Sequence, residues 1–264
     1  MKTILLSVLV LGIMGGIFGA ILAVASKVFH VEVDPKEAEI RECLGGANCG
    51  GCGYPGCDGY AKAVASGSAP ANKCVAAGPD VAKKIAEIMG TDAETAVSMK
   101  AFVRCSGSSD VAKPRFNYNG PDDCLAAMLF GGKSNKACTF ACIGFGNCVK
   151  ACKFDAIHIE NGVAKVDRSA CVGCGACAEA CPKSIIALIP ETQKIMPACL
   201  NKDKGAAVMK YCSKGCIGCG KCSRECPENA IEIKDNIAVV DVEKCIGCGH
   251  CAEVCPRHII SLLN

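Results

Sequence analysis

The chain has 264 residues, 25 cysteines, no tryptophan and a formal net charge of +3. In a short secreted chain such cysteine density would mean disulfides, but tight C-x2-C runs in a chain of this length argue for metal ligation in a reducing compartment. No basic stripe with interleaved aromatics is present, which excludes a nucleic-acid binder of that kind.

The first element is an apolar helix. Ile4–Ala25 carries no charge over 22 residues and as a helix reaches about 33 Å, enough to cross a bilayer. The alternative is a signal peptide with Ala23-Val24-Ala25 at its cleavage site. It fits less well, because the run is long for an h-region and only Lys2 precedes it. Residues 1–27 are therefore read as a single-pass transmembrane anchor in a bacterial cytoplasmic membrane. Lys2 and Lys27 oppose each other as topology signals, so the body is placed in the cytoplasm by its thiols. Gly12, Gly16 and Ala20, with Gly15 and Gly19, have the spacing that lets helices approach closely in lipid. A plain apolar helix without a partner explains them equally well.

Residues 32–91 read as a small helical cluster-binding domain. Asp34-Pro35 has the form of an N-cap and N1 proline. Cys49, Cys52 and Cys57 lie in a glycine-rich loop suited to wrapping a bulky cofactor. Tyr60–Val64 reads as helix, and Cys74 returns as the fourth ligand, with Cys43 close enough to compete. Val81, Ile85, Ile88 and Met89 mark one helical face that ends at Gly90. Thr91-Asp92-Ala93-Glu94 has capping-box form and starts a further helix. Residues 92–134 read as a connecting region, with Gly, Ser, Asn and Lys frequent towards its end.

The rest is repeated with an offset of 74 residues. Cys171, Cys174, Cys177 and Cys181 read C-x2-C-x2-C-x3-C and precede Pro182; Cys216, Cys219, Cys222 and Cys226 repeat this before Pro227, and Cys245, Cys248, Cys251 and Cys255 before Pro256. This spacing holds [4Fe–4S] clusters, the fourth cysteine serving the neighbouring cluster. Zinc favours two C-x2-C pairs on separate arms and fits poorly. Between the runs, Ala156–Asp167 maps onto Ala230–Asp241, each alternating apolar and polar residues around Asn161-Gly162 or Asp235-Asn236. Both read as β-hairpins. Residues 135–193 and 205–264 are thus two copies of one unit.

Phe145 stands where the second copy has Cys219, and Cys152 is followed by Lys153. Cys138 is read as supplying the missing ligand. A degenerate or three-iron site is the alternative. Cross-ligation then groups Cys138, Cys142, Cys148 and Cys181; Cys152, Cys171, Cys174 and Cys177; Cys216, Cys219, Cys222 and Cys255; and Cys226, Cys245, Cys248 and Cys251. With the N-terminal set this makes about five [4Fe–4S] clusters. Cys43, Cys105, Cys124, Cys199 and Cys212 are left over and read as structural thiols or as ligands of something else. Cys124 and Cys199, each followed by Leu, look equivalent in the repeat. His30, His158, His250 and His258 lack metal-site spacing, and no nucleophile, base or nucleotide loop is apparent.

An anchor, then the NCGGCGYPGC loop with Cys74, then ferredoxin-like runs resembles the B subunit of Rnf complexes over nearly the whole chain. The specific part is the loop; the runs alone are generic. The resemblance implies an α+β fold with one transmembrane helix, a small helical 4Fe–4S domain and two tandem 2[4Fe–4S] ferredoxin-like modules. It implies Cys49, Cys52, Cys57 and Cys74 as ligands of the first cluster. It also implies an electron-transfer subunit of a ferredoxin:NAD oxidoreductase that exports Na+ or H+, with soluble ferredoxin as donor and other Rnf subunits as partners. The rival is a polyferredoxin-type subunit of another membrane oxidoreductase, such as a hydrogenase assembly.

Overall fold

The computed structural model describes residues 2–28, 34–91, 98–130 and 133–263, with side chains left out for 2–10, 27 and 28. His30 and most of the expected capping box at Thr91–Glu94 lie outside the described residues.

The chain opens with α1 (Lys2–Val28), 27 residues of helix. Its described large apolar side chains, among them Leu11, Ile17, Phe18 and Leu22, are exposed. Among the described residues no helix is long and apolar enough to cross a membrane; for α1 the described side chains begin only at Leu11.

Three short helices follow: α2 (Pro35–Cys43), α3 (Gly56–Ala65) and α4 (Gly78–Met89). Asp34 caps α2 by accepting from the Lys36 amide at 2.9 Å, and Gly90 ends α4 with a φ of +67°. Their apolar faces meet in a core of Ile40, Tyr60, Val64 and Ile85. Val81, Ile88 and Met89 pack against it, so the helical periodicity read from the sequence marks a real face. Buried Tyr60 also fixes the loop that follows. Its hydroxyl donates to the Pro70 carbonyl at 2.8 Å and accepts from the Lys73 amide at 3.1 Å. Those two bonds bring the chain back at Cys74.

The first module starts earlier than the sequence suggests. β1 (Met99–Val103) lies inside the stretch expected to be a connector, and so does α5 (Cys124–Phe130). Then come α6 (Asn147–Ala151), the hairpin β2 (Ile157–Glu160) and β3 (Val163–Val166), α7 (Ala176–Glu179) and β4 (Ile186–Pro190). β1 pairs antiparallel with β4, from Met99 opposite Pro190 to Val103 opposite Ile186. Ala101, Phe102 and Val103 are buried, so this short apolar run is a core strand. The hairpin turns through Asn161 and Gly162, both at positive φ, as a two-residue hairpin loop requires.

The second module repeats the plan. β5 (Ile195–Pro197) is followed by α8 (Gly205–Tyr211), α9 (Lys221–Arg224), the hairpin β6 (Ile231–Lys234) and β7 (Ile237–Val240), α10 (His250–Glu253) and β8 (Ile260–Leu262). β5 pairs with β8, Pro197 opposite Ile260. The copies correspond in their bonding as well: the Arg104 amide donates to the Ile185 carbonyl as the Ala198 amide does to that of Ile259. Cys105 and Cys199, one residue on, are therefore the equivalent pair. This corrects the expected match of Cys199 with Cys124.

Two seams join these parts. Between the modules, Ala112 bridges Cys212, and the Lys113 amide donates to the Tyr211 carbonyl at 2.8 Å. Between the helical unit and the first module, Lys153 donates to the Asn48 carbonyl at 2.9 Å, and Gly51 lies on Cys174. A Cβ on Gly51 would stand 2.5 Å from the Cys174 carbonyl oxygen. Gly51→Ala is expected to weaken this seam by about 1–3 kcal/mol. Hydrogen exchange at Asn48–Cys57 should speed up while iron content stays unchanged.

Candidate metal centres

Sixteen of the cysteines line four cavities, four to each. Cys49, Cys52, Cys57 and Cys74 line one, with Tyr60 as part of its wall. These are the four expected from the sequence, while Cys43 packs on the helical core. Gly50 and Gly53, both at positive φ, turn the chain between these ligands.

Cys152, Cys171, Cys174 and Cys177 line a second cavity. Phe154 lies in the walls of both this cavity and the N-terminal one, so the two sites are immediate neighbours. The Ala101 amide on β1 points at the Cys171 sulfur from 3.4 Å.

The third cavity corrects the sequence reading. It is lined by Cys142, Cys148 and Cys181 as expected, but the fourth thiol is Cys124. Cys138 faces the seam between the modules instead, where the Asn201 amide donates to its sulfur at 3.2 Å. The physical reason is an ordered insertion. Asp123 accepts from the Ala126 amide at the start of α5 and from Asn147, and Asn147 accepts from the Cys124 amide at 2.8 Å. Those bonds tie the first residue of α5 to the start of α6, beside Cys148. Phe145, at the missing cysteine's position, packs instead with Tyr118, their ring centroids 5.1 Å apart. Leu125 following Cys124 carried no hint of this role.

In the second module, burial pushes the Cys222 thiol up to about 11, and its next largest influences are Cys216, Cys255 and Cys219. Cys251 is likewise pushed up to about 11 by burial, with Cys245, Cys248 and Cys226 around it. The sulfurs named in each case are ones the sequence reading groups together, and Cys251 of the other set also acts on Cys222. The first module shows the same pattern: burial raises Cys142 to about 11, Cys148 to about 12 and Cys177 to about 11. Neutral thiols of this kind ionise when a metal displaces their protons.

Among the described residues, no three His, Cys, Asp or Glu side chains converge closely enough for a single ion. A cubane sets each thiolate on a different iron, so its ligands stand wider apart than those of one zinc. Four thiols facing one shared cavity, as in the second and third sites, suit the larger group. The histidines fit their ordinary reading: His158 faces Asp155, and His250 lies between Glu225 and Glu253, all at the surface.

A family model for an Fe–S cluster motif matches residues 44–76, and 4Fe-4S dicluster domain models match residues 141–186, 170–231 and 215–259. The chain is 45% identical to the B subunit of the Na(+)-translocating ferredoxin:NAD(+) oxidoreductase complex of Acetobacterium woodii, over 92% of this chain and 73% of that one. It is 46% identical to the B subunit of the proton-translocating ferredoxin:NAD(+) oxidoreductase complex of Clostridium ljungdahlii, over 91% and 85% of the two chains. It is 38% identical to the B subunit of the ion-translocating oxidoreductase complex of Methanosarcina acetivorans, over 90% of each. The chain belongs to the B-subunit family of ion-translocating ferredoxin:NAD(+) oxidoreductase complexes. As a member of that family it carries tandem ferredoxin-like 4Fe–4S modules in a mixed α/β body. The relatives differ in the ion they move, and nothing in these thiol sites selects between Na+ and H+.

Proposed function

We propose that this chain relays electrons from reduced soluble ferredoxin to the other subunits of its complex. The residues proposed to hold [4Fe–4S] clusters are the N-terminal set, the four thiols Cys124, Cys142, Cys148 and Cys181, and the three further sets already expected from the sequence. Bound there, such clusters supply one-electron transfer. The chain's own part is to space the sites, bury their sulfurs and aim amides at them, which sets potential. The observation that carries this reading is adjacency: the N-terminal and second cavities share Phe154 as a wall, and Cys177 influences Cys148 of the third.

The far end suits a soluble donor. Cys219 and Cys248 are the exposed cysteines of the chain's described residues, and Ile246 beside Cys248 is 64% exposed. We place the anchor at residues 1–27 and the body in the cytoplasm, on the uncharged run Ile4–Ala25. The helical unit at 32–91 then follows the anchor directly, and the first module begins at β1.

The test is anaerobic. Purified chain should contain iron and acid-labile sulfide in equal amounts, and reduced ferredoxin should bleach its visible absorption. Near-stoichiometric zinc without sulfide, or no bleaching, would overturn the relay. Protease added to intact spheroplasts should leave the body uncut; digestion from outside would overturn its cytoplasmic placement.

A further inference from the structure

We propose that Cys105, Cys138, Cys199 and Cys212 hold a further [4Fe–4S] cluster at the seam between the two modules. This rests on the other sets being [4Fe–4S] sites, and it deepens that reading.

All four line one cavity, as four thiols line each of the second and third sites. The arrangement is symmetric. Cys105 and Cys199 each follow the strand that pairs with the end of their module, while Cys138 and Cys212 correspond in the sequence repeat. Each module thus gives the same two thiols. With Cys124 placed in the third site, the 25 cysteines fall into sets of four with Cys43 alone remaining.

The sulfurs are solvated as ligands are. The Gly107 and Cys142 amides both point at Cys105 from 3.4 Å, the Cys216 amide points at Cys199 from 3.4 Å, and Asn201 donates to Cys138. Cys142 and Cys216 are themselves equivalent ligands of the flanking sites. The seam site therefore touches one site of each module through the backbone of its ligands. Its place joins the two modules into a single series.

The walls call for an anion. Arg104 and Lys214 line the cavity, and the Arg104 Nε is buried with no hydrogen-bond partner. Lys136 is buried nearby, held by the Gly107 and Gly162 carbonyls at 2.7 and 2.6 Å. Four neutral thiols would leave the buried Arg104 Nε, on a half-buried side chain, facing no negative charge, which is costly. Four thiolates around a cubane carry a net charge of about −2 and remove that cost.

The experiment counts iron in the full chain, purified and reconstituted anaerobically. The unmodified chain should bind about 24 irons with as many sulfides, at four per set. The variants Cys105→Ser/Cys199→Ser and Cys138→Ser/Cys212→Ser should each lose about four irons and one dithionite-reduced EPR signal, while Cys43→Ser loses neither. Exchange protection at Ile231–Val240 reports whether a variant still folds. A total of about 20 irons in the unmodified chain, or seam variants that keep the full complement, would overturn the seam site and leave the relay standing. Absence of sulfide from the unmodified chain would sink both readings.

Discussion

Anaerobic removal of iron is expected to unfold both ferredoxin-like modules. Each module lacks the means to stand alone. Its sheets are two-stranded pairs of short strands, and isolated pairs of that kind are marginal in water. Its helices α7, α9 and α10 have four residues each, far below the length at which a helix persists unaided. The buried cores incorporate proposed ligands among their aliphatic side chains: Cys142, Cys148, Cys171 and Cys177 in the first, Cys216, Cys222, Cys251 and Cys255 in the second. Metal ligation in such sites supplies folding free energy on the order of 10 kcal/mol or more, which exceeds the stability of a typical small domain. Chelation should therefore abolish exchange protection in both hairpins, Ile157–Val166 and Ile231–Val240, and restoring iron and sulfide should return it. The helical unit has a cysteine-poor core of Ile40, Tyr60, Val64 and Ile85 and should keep part of its protection. Hairpins that stay protected in iron-free chain would refute the argument.

The same dependence explains which features the sequence shows. A ligand run such as Cys216–Cys226 is legible because three sulfurs on one cluster must lie close in the chain. The hairpins are legible because Asn161-Gly162 and Asp235-Asn236 supply the positive φ the turn demands. Cys49, Cys52, Cys57 and Cys74 are legible for the same local reasons. The missed features are all long-range. Cys124 reaches its cavity through Asp123 and Asn147, a bond network with no periodic signal. β1 pairs with a strand far along the chain, and its five residues look like any short apolar run. Cys105 escaped comparison with Cys199 because the loop carrying α5 separates Cys105 from Cys138, and the second module has no matching insertion before Cys212. A fixed offset finds Cys138 and Cys212 but slides past the other pair. The seam cavity needs both pairs at once, so it exists only in the folded chain.

Cys124→Ser is expected to disable the third site, and Phe145→Cys in the same chain to restore it. The loss follows from geometry: Cys124 stands with Cys142, Cys148 and Cys181 around one cavity, and a serine hydroxyl is a poor iron ligand beside thiolates. The single variant should lose about one to four irons, either converting the site to a three-iron form or emptying it. Restoration follows from the repeat. Phe145 occupies the position that Cys219 fills in the second module, and it already packs in the cluster formed with Cys124 and Ile143. A cysteine there recreates the regular C-x2-C-x2-C run without using the insertion. Losing the Phe145 ring and its contact with Tyr118 costs about 3 kcal/mol or more, so the double variant should be less stable than the parent while holding the same iron. Cys138→Ser tests the assignment that spacing alone suggests. If Cys138 belonged to the third site, Phe145→Cys would rescue its loss as well; placed at the seam, Cys138→Ser should stay short of iron whatever stands at position 145. EPR of the dithionite-reduced proteins separates these outcomes. Rescue of Cys138→Ser by Phe145→Cys would return Cys138 to the third site and leave Cys124 a structural thiol.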